Sequence, residues 1–176
     1  MKVMHKKSSH SGFTIVELLI VIVVIAILAA ITIVTYNGIQ SRGKNQQIVT
    51  AVRAYYTALK AYTIDYGSYP VYNGCLGQSD LYTSNPCYIG GSTFTYNSAL
   101  NTALAPYMNS GVPSLPSDKV TDGTTSASGI FYYSNSKYIG FPALSTGTCP
   151  SIAGATLYAQ GVWGSDMYCR LNFPTI

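Results

Sequence analysis

An aliphatic run near the start of the chain constrains this sequence more than any other feature. The twenty positions from Ile15 to Val34 are apolar except for Glu17 and Thr32. As a helix, twenty residues rise about 30 Å, which is the thickness of the hydrocarbon core of a bilayer. The run is longer than the core of a secretory signal peptide, and no small-residue cleavage site follows it. We therefore predict a membrane-spanning helix over residues 13–37.

The rest of the chain has a different composition, rich in Tyr, Ser, Thr, Asn and Gly and poor in charge. After residue 12, seven basic residues face six acidic ones, so no basic patch of the kind that binds nucleic acid remains. The sequence therefore predicts one apolar segment followed by one polar, weakly charged domain.

Four cysteines lie beyond the apolar run, at Cys75, Cys87, Cys149 and Cys169. An even number in such a domain indicates two disulfides and an oxidising compartment. Four cysteines allow three connectivities, and the sequence alone does not choose among them. We favour Cys75–Cys87 and Cys149–Cys169, because each pair spans a short stretch with turn signals. A zinc site is the alternative, but it would require close pairs such as C-x-x-C, which the sequence lacks.

The orientation in the membrane follows from charge and from the cysteines. Lys2, Lys6 and Lys7 place the amino terminus in the cytoplasm by the positive-inside rule. Arg42 and Lys44 on the other side weaken this bias. Because disulfides form outside the cytoplasm, we expect the polar domain to be external.

Glu17 does not fit a simple membrane anchor. A carboxylate in a membrane helix is unfavourable by up to about 3 kcal/mol near the centre and by less near the end, so it usually faces a partner. The run itself contains no Lys, Arg or His. If the bond between Gly12 and Phe13 were cut, Phe13 would carry a new ammonium group one helical turn from Glu17. The carboxylate could neutralise that group in its own chain or in a neighbouring chain.

These residues resemble the prepilin signature of type IV pilins and pseudopilins. A short basic leader ends at Gly12, the motif Phe-Thr-Ile-Val-Glu-Leu-Leu follows over residues 13–19, and the aliphatic run comes next. The resemblance covers about the first 35 residues. Many pilins have a Pro near the position of Val34 and a Gly near that of Ala26; this sequence has neither, which puts local melting of the helix in doubt.

The resemblance implies how the chain is processed and assembled, and which residues take part. A prepilin peptidase would remove residues 1–12 and methylate the new amino terminus at Phe13, and Glu17 would contact the terminus of an adjacent subunit during assembly. The chain would be held in the cytoplasmic membrane with its C-terminal domain outside. Membrane assembly machinery would then polymerise it into an extracellular helical homopolymer for adhesion, twitching motility or DNA uptake. The alternative is a minor pilin or a pseudopilin of a type II secretion or competence apparatus.

The first helix is expected to continue beyond the membrane, to about Tyr66. Residues 38–67 form its amphipathic half, because apolar side chains recur there at intervals of four and three. They are Ile48, Val52, Tyr55, Leu59, Tyr62 and Tyr66. Gly67 and Pro70 in the segment DYGSYP predict the helix end.

The remainder predicts an α+β pilin fold in which the helix packs on a small antiparallel sheet. Residues 68–129 are rich in turn signals and are expected to form a variable loop region with the first disulfide and a short helix within Asn97–Met108. Residues 130–176 contain two hairpin signals, around Asn135 and between Gly161 and Asp166. We therefore expect a sheet of about four strands holding the second disulfide.

The sequence argues against an enzyme. Removal of residues 1–12 would remove both histidines, and the acidic residues are scattered without a catalytic motif. No cofactor is expected. Asp118 and Asp122 lie in a loop rich in hydroxyl groups, so calcium binding there is an alternative to a plain polar turn.

Overall fold

A computed structural model describes residues 12–82, 86–89, 92–109, 111–117, 119–121, 126–144, 148–152, 154–163 and 166–174. The calcium candidates Asp118 and Asp122 lie outside these residues. The chain divides after Ile39 into two compact units. We call residues 40–176 the head.

Helix α1 spans Ile15–Tyr66 and continues through Gly38 and Gly43. Its end matches the prediction. Gly67 adopts the left-handed conformation, with φ of 71°, and its N–H donates to the carbonyl of Thr63 at 2.9 Å. A glycine closes a helix in this way because it has no Cβ to oppose positive φ.

Five strands form the main antiparallel sheet of the head in the order β1-β6-β7-β9-β8. Their bounds are β1 Gly74–Leu76, β6 Ile130–Tyr133, β7 Tyr138–Ala143, β8 Thr156–Trp163 and β9 Asp166–Asn172. Both predicted hairpins are present, as β6–β7 and β8–β9. In the second hairpin, β8 ends at Trp163 and β9 begins at Asp166, both within the predicted interval from Gly161 to Asp166.

The head half of α1 packs against one face of this sheet, so the predicted α+β architecture is confirmed. Val52, Tyr55 and Leu59 have no exposed surface, whereas Arg53 and Lys60 on the opposite face are exposed. Tyr66 is the exception in the predicted stripe: it is 66% exposed, because it lies at the helix end beyond the sheet, although its ring stacks on that of Tyr62 at 4.3 Å.

The second face of the sheet is also covered, which the sequence did not predict. Side chains alternate along a strand, so Ile139 and Phe141 face α1 whereas Phe131, Tyr138 and Tyr168 face the other side. Tyr82 and the Cys75–Cys87 disulfide cover that second aromatic layer. The head therefore has one apolar layer on each face of the sheet.

The turn-rich region supplies more regular structure than expected. The main sheet has five strands rather than about four, because β1 pairs with β6 at its edge. Two small hairpins follow in this region, and the predicted short helix is α2, Ser98–Leu104. The hairpins are β2 Cys87–Ile89 with β3 Ser92–Phe94, and β4 Lys119–Thr121 with β5 Ser126–Ser128. Strands of three residues are too short to show a period of two in the sequence.

Asn101, a buried amide in α2, ties the turn-rich region to α1. Its Nδ2 donates to the carbonyl of Cys75 and to that of Asn97, each at 2.9 Å. Its Oδ1 accepts from the N–H of Gly77 at 3.2 Å and from the hydroxyl of Tyr55 at 3.4 Å. The four contacts connect α2, β1 and α1.

Asn45, at the start of the head, ties α1 to the sheet. Its Nδ2 donates to the carbonyl of Leu144 at 2.6 Å, and its Oδ1 accepts from the N–H of the same residue at 2.7 Å. The Asn45 amide thus hydrogen-bonds to both the N–H and the C=O of Leu144, just beyond β7, as the backbone of a neighbouring strand would do.

Candidate functional site: the start of helix α1

The start of α1 is a capping box formed by Thr14 and Glu17. The carboxylate Oε2 of Glu17 accepts from the backbone N–H and from the hydroxyl of Thr14, each at 2.8 Å. The Thr14 hydroxyl in turn accepts from the N–H of Glu17 at 3.2 Å. These bonds satisfy N–H groups that have no partner within the helix.

The capping box gives Glu17 a role inside its own chain, beside any role in assembly. Both bonds that Glu17 accepts end on Oε2. A carboxylate has two oxygens and about four acceptor sites, so this carboxylate can accept further donors while it caps the helix. An incoming ammonium group would add to the existing contacts rather than replace them.

The predicted cleavage junction precedes the helix. Gly12 and Phe13 lie outside α1, which begins at Ile15. A Cβ added at Gly12 would meet nothing within 4 Å, and the Phe13 side chain is 84% exposed. The described part of the chain therefore imposes no demand for glycine at position 12, and both residues are exposed to an outside protein.

The apolar segment, residues 15–33, exposes all of its large side chains. Exposed fractions range from 48% at Val24 to 81% at Ile15. Within the described residues, α1 is the helix that is long and apolar enough to cross a membrane. In water, so much apolar surface would require a partner.

The four cysteines form the sequential disulfides favoured from the sequence, Cys75–Cys87 and Cys149–Cys169. The first joins β1 to β2, and the second joins the segment before β8 to β9. A zinc site formed by these thiols is thereby excluded. Among the residues that the structure describes, no three His, Cys, Asp or Glu side chains cluster as metal ligands would.

Sequence reasoning missed two of these contacts. The capping box had a readable signal, since Thr-x-x-Glu before an apolar run is a helix-start pattern. The role of Asn101 had none, because its four partners come from three separate parts of the chain.

The chain matches one family model over a short stretch and one known protein over a much longer stretch. Residues 7–33 match the family model described as the prokaryotic N-terminal methylation motif. The type IV major pilin protein PilA of Myxococcus xanthus is 30% identical over 127 residues, which are 72% of this chain and 58% of that protein. A match of this length is longer than the segment before the head, so it includes part of the head.

Shorter matches link the chain to secretion proteins. Core protein G of the type II secretion system is 32% identical over 65 residues in Klebsiella michiganensis and 33% identical over 67 residues in Vibrio cholerae. These matches cover 37% and 38% of this chain and 46% of each relative. The chain thus spans about half the length of the curated relatives it matches, and no solved structure matches it. With its match to the methylation motif and its long helix on a small sheet, the chain is similar to the type IV major pilin of Myxococcus xanthus and to core protein G of type II secretion systems.

Proposed function

We propose that this chain is the structural subunit of a type IV pilus, held in the membrane before assembly and then polymerised into an extracellular filament. The observation that carries the proposal is the coincidence, at one helix start, of an open Gly12–Phe13 junction, a carboxylate at Glu17 and an exposed apolar segment. The relative named a major pilin matches over 72% of this chain, which includes part of the head and supports the same function.

The membrane stage follows from the apolar segment and the disulfides. The segment is long enough to cross the bilayer once, and two disulfides require an oxidising compartment for the head. The subunit therefore sits with its basic leader in the cytoplasm and its head outside. The proposed cellular location is the cytoplasmic membrane first and the pilus afterwards.

Processing follows from the open junction. A prepilin peptidase cuts between Gly12 and Phe13 and methylates the new terminus. Because a side chain at position 12 would meet nothing in this chain, a Gly12→Val variant should fold normally and stay uncut. The measurement is the intact mass of the subunit, which stays heavier by residues 1–12 in the variant. A variant that is trimmed normally contradicts this step.

Glu17 takes part in assembly by neutralising the ammonium group of Phe13 in an adjacent subunit. Ammonium and carboxylate attract strongly where water is excluded, which favours docking of a new subunit at the growing end of the filament. The Glu17 carboxylate can do this while it caps its own helix, since Oε2 alone accepts the two capping bonds.

Three variants separate the two roles of Glu17. Glu17→Gln removes the charge but leaves a side chain that fits the capping box. Thr14→Val removes the capping hydroxyl but keeps the carboxylate. Glu17→Ala removes the charge together with the acceptor that caps Thr14. We expect all three to insert in the membrane. We expect Thr14→Val to enter filaments and both Glu17 variants to be absent from them. Filaments formed by Glu17→Gln would show that capping, not charge, is required.

The second candidate is a minor pilin or a pseudopilin of a type II secretion or competence apparatus. The matches to core protein G favour it, although each covers little more than a third of the chain. Abundance separates the two functions. A major subunit dominates the protein sheared from the cell surface, whereas a minor subunit is scarce there. Electron microscopy of the sheared material, with intact mass of the subunit, tests polymerisation and processing together. Among the uses of such a filament, adhesion, twitching motility and DNA uptake are the candidates.

A further inference from the structure

A pocket of mixed polar and apolar character lies at the end of the head where helix α1 stops. Its volume is about 400 Å³, which is within the range of small-molecule sites in proteins. One wall is the segment 67–71, which follows α1, and the other wall comes from the turn between β6 and β7, with Ser134, Asn135 and Lys137. Both walls belong to the head, so the pocket is formed by the head alone.

Hydrogen bonds hold the two walls of the pocket together. The hydroxyl of Ser134 donates to the carbonyl of Val71 at 3.1 Å, and the N–H of Ser134 donates to Oδ1 of Asn73 at 2.7 Å. The hydroxyl of Tyr132, in β6, donates to the carbonyl of Pro70 at 3.0 Å. The pocket is therefore preformed, as ligand sites in proteins usually are.

Lys137 lines the pocket with an unusual backbone conformation. Its φ is 50°, and among the described residues other than glycine it alone has a positive φ. The N–H of Lys137 closes the turn on the carbonyl of Ser134 at 3.3 Å. Glycine is usual at such a position in a hairpin loop, because a Cβ opposes positive φ. Backbone strain of this kind is common at binding sites, so the lysine side chain is the candidate for a function.

The ammonium group of Lys137 lies over an aromatic ring. Its Nζ is 5.9 Å from the centre of the Tyr69 ring, which is a cation–π distance. Tyr69 is buried and packs on Phe173, with ring centres 5.1 Å apart. Among the described residues, no carboxylate forms an ion pair with Lys137 and none lines the pocket. The pocket therefore presents one positive charge to a ligand.

The rest of the pocket lining is neutral. Ser68 and Asn135 are exposed, and neither side chain forms a hydrogen bond within the described part of the chain. Val71 is 78% exposed and supplies an apolar surface. A ligand that matches this lining has one negative charge, hydroxyl groups and an apolar face. A sugar acid has this combination, because its ring carries a carboxylate and hydroxyls at the edge and C–H groups on its faces.

A nucleic acid matches the pocket less well. Binding to a chain of phosphates requires several Lys or Arg side chains, because each one neutralises one phosphate. Lys137 is the single cation among the described residues that line the pocket. One cation suits a ligand group with one negative charge.

We propose that this pocket binds a sugar acid, such as a uronic acid unit of a polysaccharide. Lys137 pairs with the carboxylate, and the side chains of Ser68 and Asn135 bind the hydroxyls. The site lies within the head and does not rest on the proposed assembly. In a filament of such subunits, repetition of the site would strengthen binding to a polysaccharide through multivalency.

Binding is measured by equilibrium dialysis of the full chain in detergent, with a galacturonate trisaccharide and a neutral galactose trisaccharide as probes. We expect wild type to bind galacturonate about fivefold more tightly than galactose, as one partly exposed ion pair would give. Lys137→Gln should abolish this preference. Lys60→Gln is the matched control, because Lys60 also lies over a ring, 5.5 Å from the centre of that of Tyr56, but does not line the pocket.

Lys137→Gly separates binding from folding. Glycine accepts the positive φ at this position, so the variant should be as stable in urea as wild type while it loses the preference for galacturonate. The proposal is overturned if wild type shows no preference, if either Lys137 variant keeps it, or if Lys60→Gln loses it as well. A short oligothymidylate that binds more tightly than galacturonate, and does so through Lys137, would also overturn the proposal. None of these results depends on whether the subunit forms filaments.

Discussion

Replacing Asn101 by alanine removes the amide that joins α2, β1 and α1. Asn101 is only 4% exposed, and its partners Gly77 and Cys75 are buried. Without the amide, the N–H of Gly77 and the carbonyl of Cys75 lose their bonds to it at 3.2 Å and 2.9 Å. Each buried polar group that is left without a hydrogen bond lowers the stability by about 1–3 kcal/mol. For the two groups together, we therefore expect the free energy of unfolding to fall by about 2–6 kcal/mol.

That loss is a large share of the stability of an ordinary domain, which is about 5–15 kcal/mol. The assay is urea unfolding of the full chain in detergent, followed by the near-ultraviolet circular dichroism of the tyrosines. Asn109→Ala is the matched control, because Asn109 is exposed. An Asn101→Ala variant as stable as the Asn109→Ala control would refute the reasoning that this amide holds the turn-rich region on the sheet.

The remaining predictions concern packing, a disulfide and one tyrosine. Gly140→Ala should destabilise the head by about 1–3 kcal/mol in the same urea assay, because the new Cβ would overlap buried aromatic rings; unchanged stability would contradict the packing. Replacing Cys149 and Cys169 together by serine should cost about 3 kcal/mol for a loop of this length, as measured by thermal unfolding against wild type. The hydroxyl of Tyr107 donates to Asp65 at 2.6 Å, which raises the pKa of Tyr107 to about 12. The contribution of this hydrogen bond to stability should therefore be present below about pH 10 and be lost as the pH rises through 12. Asp65→Asn should lower the pKa of Tyr107 toward 10, as measured by NMR of ¹³C-labelled tyrosine. Tyr107→Phe identifies the signal of Tyr107.

The sequence predicted those elements whose determinants are local. The apolar run and the stripe from Ile48 to Leu59 repeat at helical spacing over many turns, so α1 was predicted to within two residues at its start and matched at its end. The hairpin around Asn135 was predicted from a turn signal between two β-type runs, and the structure confirms it.

Contacts between distant parts of the chain escaped prediction. β1 has three residues, and its place at the sheet edge depends on pairing with β6, more than fifty residues later. A groove between α1 and the segment around Met108 requires two distant parts of the chain to come together, which no local pattern indicates. The capping box is the exception, because its residues Thr14 and Glu17 lie three positions apart in a local pattern that predicts a helix start.

The position of β9 in the sheet has a consequence for how the subunit is made. β9, Asp166–Asn172, is the last strand along the described chain, yet it lies inside the sheet between β7 and β8. If the chain enters the membrane as proposed, its apolar helix is made long before the head can close, because β9 is the strand that pairs with β8 in the described sheet. Under the proposed topology, the head closes only after its last strand has been exported, and a chain that stops short of β9 would present an open sheet to proteases.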